Sequence, residues 1–98
     1  MKYRFESPLW RWQARTDNWF FVTVPEDSGE EIRAIVGDLA GGFGSVRVRV
    51  RVGSTSWVTS IFPESGSAAY SLPMKASVRK AEGLAEGDVV TAEIELQL

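Results

Sequence analysis

Arg47, Arg49 and Arg51 recur at every second position between valines, and they are the one concentrated charge in the chain. On a strand this spacing puts three guanidiniums on one face, about 6.6 Å apart. Such a row can follow a phosphate backbone, or it can pair with carboxylates on a neighbouring strand. Glu93 and Glu95, near the end of the chain, supply carboxylates of that kind, so pairing is the simpler expectation. A second set, Trp57, Thr59, Ser60, Tyr70, Lys75 and Arg79, mixes aromatic, hydroxyl and cationic groups, the types that bind a small anionic or planar ligand. The same residues fit a plainer account in which Trp57 and Tyr70 are core aromatics and Lys75 and Arg79 are surface groups of a helix. A Ser–Lys nucleophile would have to use Ser60 or Ser77 with Lys75. Ser77, however, is two residues from Lys75 and so on a different helix face, and no nucleophile elbow or oxyanion motif accompanies either serine. Gly41-Gly42-Phe43-Gly44 lacks the spacing and the following Lys of a phosphate loop. It also precedes a strand and not a helix, so a flexible connection with Phe43 plugging a barrel end is expected.

Composition removes several chemistries outright. With no Cys and no His among 98 residues, thiol nucleophiles, His-based triads and His- or thiolate-bound metals cannot be built, and no cofactor is expected. A formal net charge of −2 disfavours a generic nucleic-acid binder, which carries a basic excess. The charge is uneven: residues 1–52 hold eight basic against seven acidic side chains, and 53–98 hold three against six. Four Trp are many for this length and are expected to anchor a core or an interface. No apolar run approaches the length of a membrane span, and no N-terminal signal pattern is present, so a soluble, cytoplasmic protein of one domain (1–98) is expected.

These groups are positioned mainly by strands. Lys2 to Ala14 alternates with a phase change at Pro8, which marks an edge, a bulge or a break; beyond it Trp10 and Trp12 share a face opposite Arg11 and Gln13. Thr16-Asp17-Asn18 reads as a turn, and Trp19–Val24 returns as a strand, apolar on both faces and therefore expected to be buried on both sides. After Pro25, Ser28 and Glu31 have capping-box spacing, and Ile32, Ile35, Val36 and Leu39 mark a helix that ends near Gly37–Leu39. Val46–Val52 is the clearest strand, and Gly53-Ser54-Thr55-Ser56 turns it into another, Trp57–Phe62. Tyr70-Ser71-Leu72-Pro73 is a short strand, and Val78 and Ala81 mark the inner face of a two-turn helix stopped at Gly83. Glu86-Gly87-Asp88 is a turn. The chain then closes on a half-buried strand with Val90, Ala92, Ile94 and Leu96 inward. The two halves share an order of parts, strand–Pro–helix–Gly–strand, compatible with a pseudo-two-fold and equally with ordinary turn grammar.

The motifs Phe5…Leu9-Trp10-Arg11-Trp12, Trp19-Phe20-Phe21-Val22…Pro25, Gly42-Phe43-Gly44-Ser45-Val46-Arg47-Val48, Gly53…Trp57…Thr59-Ser60-Ile61-Phe62-Pro63, Tyr70-Ser71-Leu72-Pro73-Met74-Lys75…Val78-Arg79-Lys80-Ala81 and Glu86-Gly87-Asp88 together resemble domain of unknown function 1905, a bacterial family. That resemblance spans nearly the whole chain. It implies a small β-barrel with helical caps and no particular activity. More weakly, residues 70–96 are similar to the swapped-hairpin barrels of AbrB-like transition-state regulators and antitoxins, homodimers that give half a barrel per chain and often bind DNA. A chain of this length is able to supply both halves itself.

The expected architecture is therefore mainly β: a small closed or split β-barrel with two short capping helices, near 28–38 and 74–82. The expected role is a non-enzymatic binding or interaction module for a small molecule or a protein, with no membrane, nucleic acid disfavoured, and a monomer or weak homodimer. The alternatives are a nucleic-acid-binding regulator of AbrB-like type and a small-molecule enzyme using Ser, Lys and carboxylates.

Overall fold

Alternation of apolar and polar residues turns one face of most of the strands inward. The computed structural model describes residues 1–13, 19–37 and 44–98. Within them the order is β1 (Lys2–Pro8), β2 (Trp10–Arg11), β3 (Phe20–Val24), α1 (Glu26–Val36), β4 (Val46–Val52), β5 (Thr55–Pro63), β6 (Tyr70–Pro73), α2 (Ala76–Ala81) and β7 (Val89–Leu96). The expected turn at Thr16-Asp17-Asn18, the last helical position Leu39 and the Phe43 plug lie outside the described residues.

The strands make one antiparallel sheet in the order β1-β7-β4-β5-β6-β3-β2, rolled into a nearly closed barrel. Two bent segments carry the curvature. β5 pairs with β4 over most of its length and then with β6 through Phe62 and Pro63. At the other seam, β1 pairs with β7 up to Pro8, and after the break at Leu9 the chain joins β3 through Trp10 and Arg11. Leu9 itself bridges the bend: its N–H donates to the Asp88 carbonyl and its own carbonyl accepts from Gly87 N–H, both at 2.8 Å. Pro8, which has no N–H to donate, thus sits where one ladder ends and the next begins. Ser7 Oγ, donating to the Thr23 carbonyl at 2.6 Å, ties β1 to β3 across the seam.

The core follows from the alternation. Val46, Val48, Val50 and Val52 of β4, Val90, Ala92, Ile94 and Leu96 of β7, and Val22 and Val24 of β3 are all buried. Ile32 and Val36 of α1 and Val78 of α2 complete it. The outward register interleaves charge: Glu93 lies between Arg4 and Arg51, and Glu95 between Lys2 and Arg49. Arg51 and Glu93 form an ion pair at 3.5 Å.

Helix α1 begins earlier than the Ser28/Glu31 spacing suggests. Pro25 is the N-cap, no side chain caps the helix, and Ser28 lies inside the first turn with its N–H donating to Asp27 Oδ1 at 2.8 Å. The fixed φ of Pro25 and the acidic Glu26 and Asp27 in the first turn start the helix without a capping box. α2 stops at the left-handed Gly83 (φ 63°), the conformation that a helix stop favours in glycine. Strands in matching places of the two halves are neighbours, β3 with β6 and β4 with β7, both antiparallel.

Candidate ligand-binding groove

β3 carries apolar residues on both faces, yet only one of those faces is buried. Val22 and Val24 point to the core, whereas Trp19 is 44% exposed and Phe21 half-buried. The expectation of burial on both sides is corrected here: the outer face of β2, β3, β6 and the end of β5 is the floor of an open groove. Cross-strand pairing explains who meets there. Trp10 is directly opposite Phe21, Phe21 opposite Pro73, Thr23 opposite Ser71, and Ser71 opposite Phe62. Partners in an antiparallel pair share a face, so these side chains project together.

The aromatic wall is mutually packed. Trp10 stacks on Phe21 with centroids 4.9 Å apart and planes 28° apart. Trp12 and Trp19, joined by Trp12 N–H donating to the Trp19 carbonyl at 2.9 Å, approach to 5.5 Å, and both meet Phe21 edge-on. Across from this wall stand Phe62, Pro73, Met74 and the start of α2. The groove's volume is about 850 Å³, within the range of small-molecule sites.

Two cations stand at the α2 end. Lys75 is exposed, directly before the helix, and Arg79 is half-buried one turn on; both line the groove. Arg79 Nε donates to the Met74 carbonyl at 3.0 Å, and its guanidinium carbon lies 4.1 Å from the centroid of Phe20. At the other end Ser71 lines the groove, and its hydroxyl belongs to a hydrogen-bonded set that includes Glu64 and Thr23. Glu64 Oε2 accepts from Ser71 Oγ at 3.0 Å and from Thr23 Oγ1 at 3.5 Å, and Thr23 Oγ1 accepts from Trp10 Nε1 at 3.1 Å. Among the described residues no cluster of His, Cys, Asp or Glu able to hold a metal ion occurs.

The six residues singled out from the sequence are not brought together. Lys75 and Arg79 reach the groove. Trp57 (9% exposed) and Thr59 face inward from β5, opposite Val50 and Val48. Ser60 faces outward opposite Arg47 and does not line the groove. Tyr70 is 2% exposed and sits beneath the Arg33 guanidinium, 5.3 Å from its centroid. The groove residues that were not singled out, Trp10, Trp12, Trp19, Phe21 and Phe62, did leave a signal. Trp10 and Trp12 share one face of their strand, as do Trp19 and Phe21, and strands this rich in large aromatics on a second face have more apolar surface than the core needs.

A family model described as Domain of unknown function (DUF1905) matches residues 5–94. The chain belongs to this family. The match takes in both β2 and β3 of the aromatic wall, Glu64, Ser71 and α2, so the groove lies wholly within the family's domain. Its description assigns no activity, and no curated protein matches the chain significantly. Among the described residues no helix is long and apolar enough to cross a membrane.

Proposed function

We propose that this domain is a binding module whose groove takes a small planar aromatic ligand bearing a carboxylate. The observation that carries this reading is the pairing of an aromatic wall, the exposed Trp12 and Trp19 with the half-buried Trp10 and Phe21, with Lys75 and Arg79 on the same groove. Large aromatics left exposed as a contiguous patch mark a binding surface, because burying them elsewhere would have been favourable. Among the described residues that line the groove two are cations and none is a carboxylate, which favours a ligand whose own charge is negative. Arg79 is already held by Met74 and Phe20, so it presents its remaining N–H groups in a fixed direction.

The test is titration of the isotope-labelled protein with 1-naphthaleneacetate and, in parallel, with neutral 1-methylnaphthalene. Amide shifts confined to β2, β3, β6 and α2, stronger for the anion and weakened in Lys75→Gln and Arg79→Gln, are the expected result. Shifts that map elsewhere, or equal response to the neutral hydrocarbon, overturn the reading. A second copy of the chain as occupant would appear instead as concentration-dependent shifts at the same residues without any ligand.

A further inference from the structure

We propose that Ser71 is a specificity-determining residue of this groove, acting as a hydrogen-bond acceptor that selects ligands with an N–H or O–H donor at the end opposite their carboxylate. This rests on the reading of the groove just given. A serine hydroxyl has one proton and two lone pairs. Ser71 Oγ spends its proton on Glu64 Oε2 at 3.0 Å. Thr23 Oγ1, which already accepts from Trp10 Nε1, directs its proton to the same carboxylate oxygen. An ionised carboxylate can only accept, so Glu64 fixes the direction of both hydroxyls. What Ser71 turns toward the groove is then lone pairs alone.

Placement makes this acceptor decisive. Ser71 and Pro73 share the outer face of β6, two residues or roughly 7 Å apart, and Lys75 and Arg79 stand just past Pro73. The groove thus carries donors at its α2 end and an acceptor further along β6, with Pro73 and, in its register, Phe21 and Trp10 between, and Phe62 beside Ser71. A flat ligand that puts its carboxylate on Lys75 and Arg79 brings the far edge of its ring onto Ser71 Oγ. A C–H there leaves the oxygen with its lone pairs unpaired and desolvated, whereas a ring N–H satisfies it. The fitting class is a fused aromatic carboxylate with a ring N–H, of indole-acetate type.

Calorimetric titration with three carboxylates of similar size reads this directly: indole-3-acetate, 1-methylindole-3-acetate and 1-naphthaleneacetate. The expected result in the unmodified protein is that the N–H compound binds about fivefold or more tightly than the other two, the worth of one hydrogen bond. In Ser71→Ala, with melting checked for intact fold, the three affinities converge. In Glu64→Gln the preference shrinks, because the amide can donate and no longer directs both hydroxyl protons. Equal affinities in the unmodified protein, or a preference that survives Ser71→Ala, overturn the assignment while leaving the aromatic-anion reading standing. Failure of all three compounds to bind overturns both. The comparison with the N-methyl compound needs no variant, so it stands even if Ser71→Ala folds poorly.

Discussion

Gly29 of α1 lies directly against the carbonyl of Ala68, close enough that a Cβ on Gly29 would come 2.8 Å from the Ala68 carbonyl carbon and closer still to its oxygen. Those are backbone atoms, so no rotamer change relieves the clash. The loop is also fixed on its own account: Glu64 N–H donates to the Ala69 carbonyl at 3.0 Å, and Arg33 Nη2 donates to the Ser67 carbonyl at 3.0 Å. Ordinarily Gly→Ala inside a helix stabilises, through lower unfolded-state entropy and better propensity. Here overpacking wins. Gly29→Ala is expected to cost at least about 2 kcal/mol, read as a lower urea midpoint, and an unchanged or raised midpoint would mean the loop can move away freely.

The Arg79 side chain joins the barrel to the groove, so its loss should show in stability as well as in binding. Its cation lies over the Phe20 ring and its Nε is bonded to the Met74 carbonyl. A partly exposed cation–π contact and one hydrogen bond together suggest a loss of about 1–2 kcal/mol for Arg79→Met. Arg79→Lys should recover part of that, because an ammonium keeps the charge but not the planar stack. Chemical denaturation of the two variants side by side checks the order; equal stabilities for Lys and Met would mean the planar contact contributes nothing.

Much of this fold is legible in the sequence where one face of an element must be apolar. The Val46–Val52 alternation, the inward set Val90, Ala92, Ile94, Leu96 and the Gly83 stop all appear where periodicity and turn chemistry put them. The start of α1 is less so, because Pro25 and the acidic first turn begin it two residues ahead of Ser28. The groove was harder to read for a different reason. Alternation tells which residues share a face, and a strand such as β3 with two apolar faces carries no mark of which face meets the core. Trp57 and Tyr70 went inward while Trp10, Trp19 and Phe21 lined the groove. That choice depends on sheet closure, a property of strands far apart in sequence.

Tyr3 offers a pH test. Its hydroxyl is buried and finds no hydrogen-bond partner among the described residues. Burial first, and the nearby Glu31 second, push its phenol above the usual tyrosine value of 10.0. Below that value both folded and unfolded chains hold the proton, and stability is indifferent to pH through this group. Above it the unfolded chain gives up a proton that the folded chain keeps, so stability falls as pH rises. Tyr3→Phe should therefore flatten the alkaline fall. At neutral pH it should be neutral or stabilising by up to about 1 kcal/mol, since an unsatisfied hydroxyl is removed. Melting temperatures from pH 7 to 11 for the two proteins decide it, and parallel alkaline losses would place the sensitive group elsewhere.

Arg47, Arg49 and Arg51 form the row that most resembles a phosphate track, and the sheet gives it another occupation. β7 places Glu95 opposite Arg49 and Glu93 opposite Arg51, while β1 sets Lys2 and Arg4 on the far side of the same carboxylates. The acidic strand is thus flanked by basic ones, and a DNA phosphate arriving at Arg51 meets Glu93, already 3.5 Å from that guanidinium. Repulsion from Glu93 and Glu95 offsets the attraction of the arginines, and the chain as a whole is net negative at −2. Fluorescence anisotropy with labelled duplex DNA is expected to show no binding at micromolar protein and physiological salt. A phosphate track using all three arginines would instead bind more tightly as salt is lowered, with a log–log slope of about −3, and would lose that binding in the Arg47/Arg49/Arg51→Ser triple variant. Glu93→Gln/Glu95→Gln is the converse probe: with the acidic strand neutralised, weak salt-dependent DNA binding should emerge, and its appearance would show that these carboxylates, not the spacing of the arginines, keep duplex DNA away.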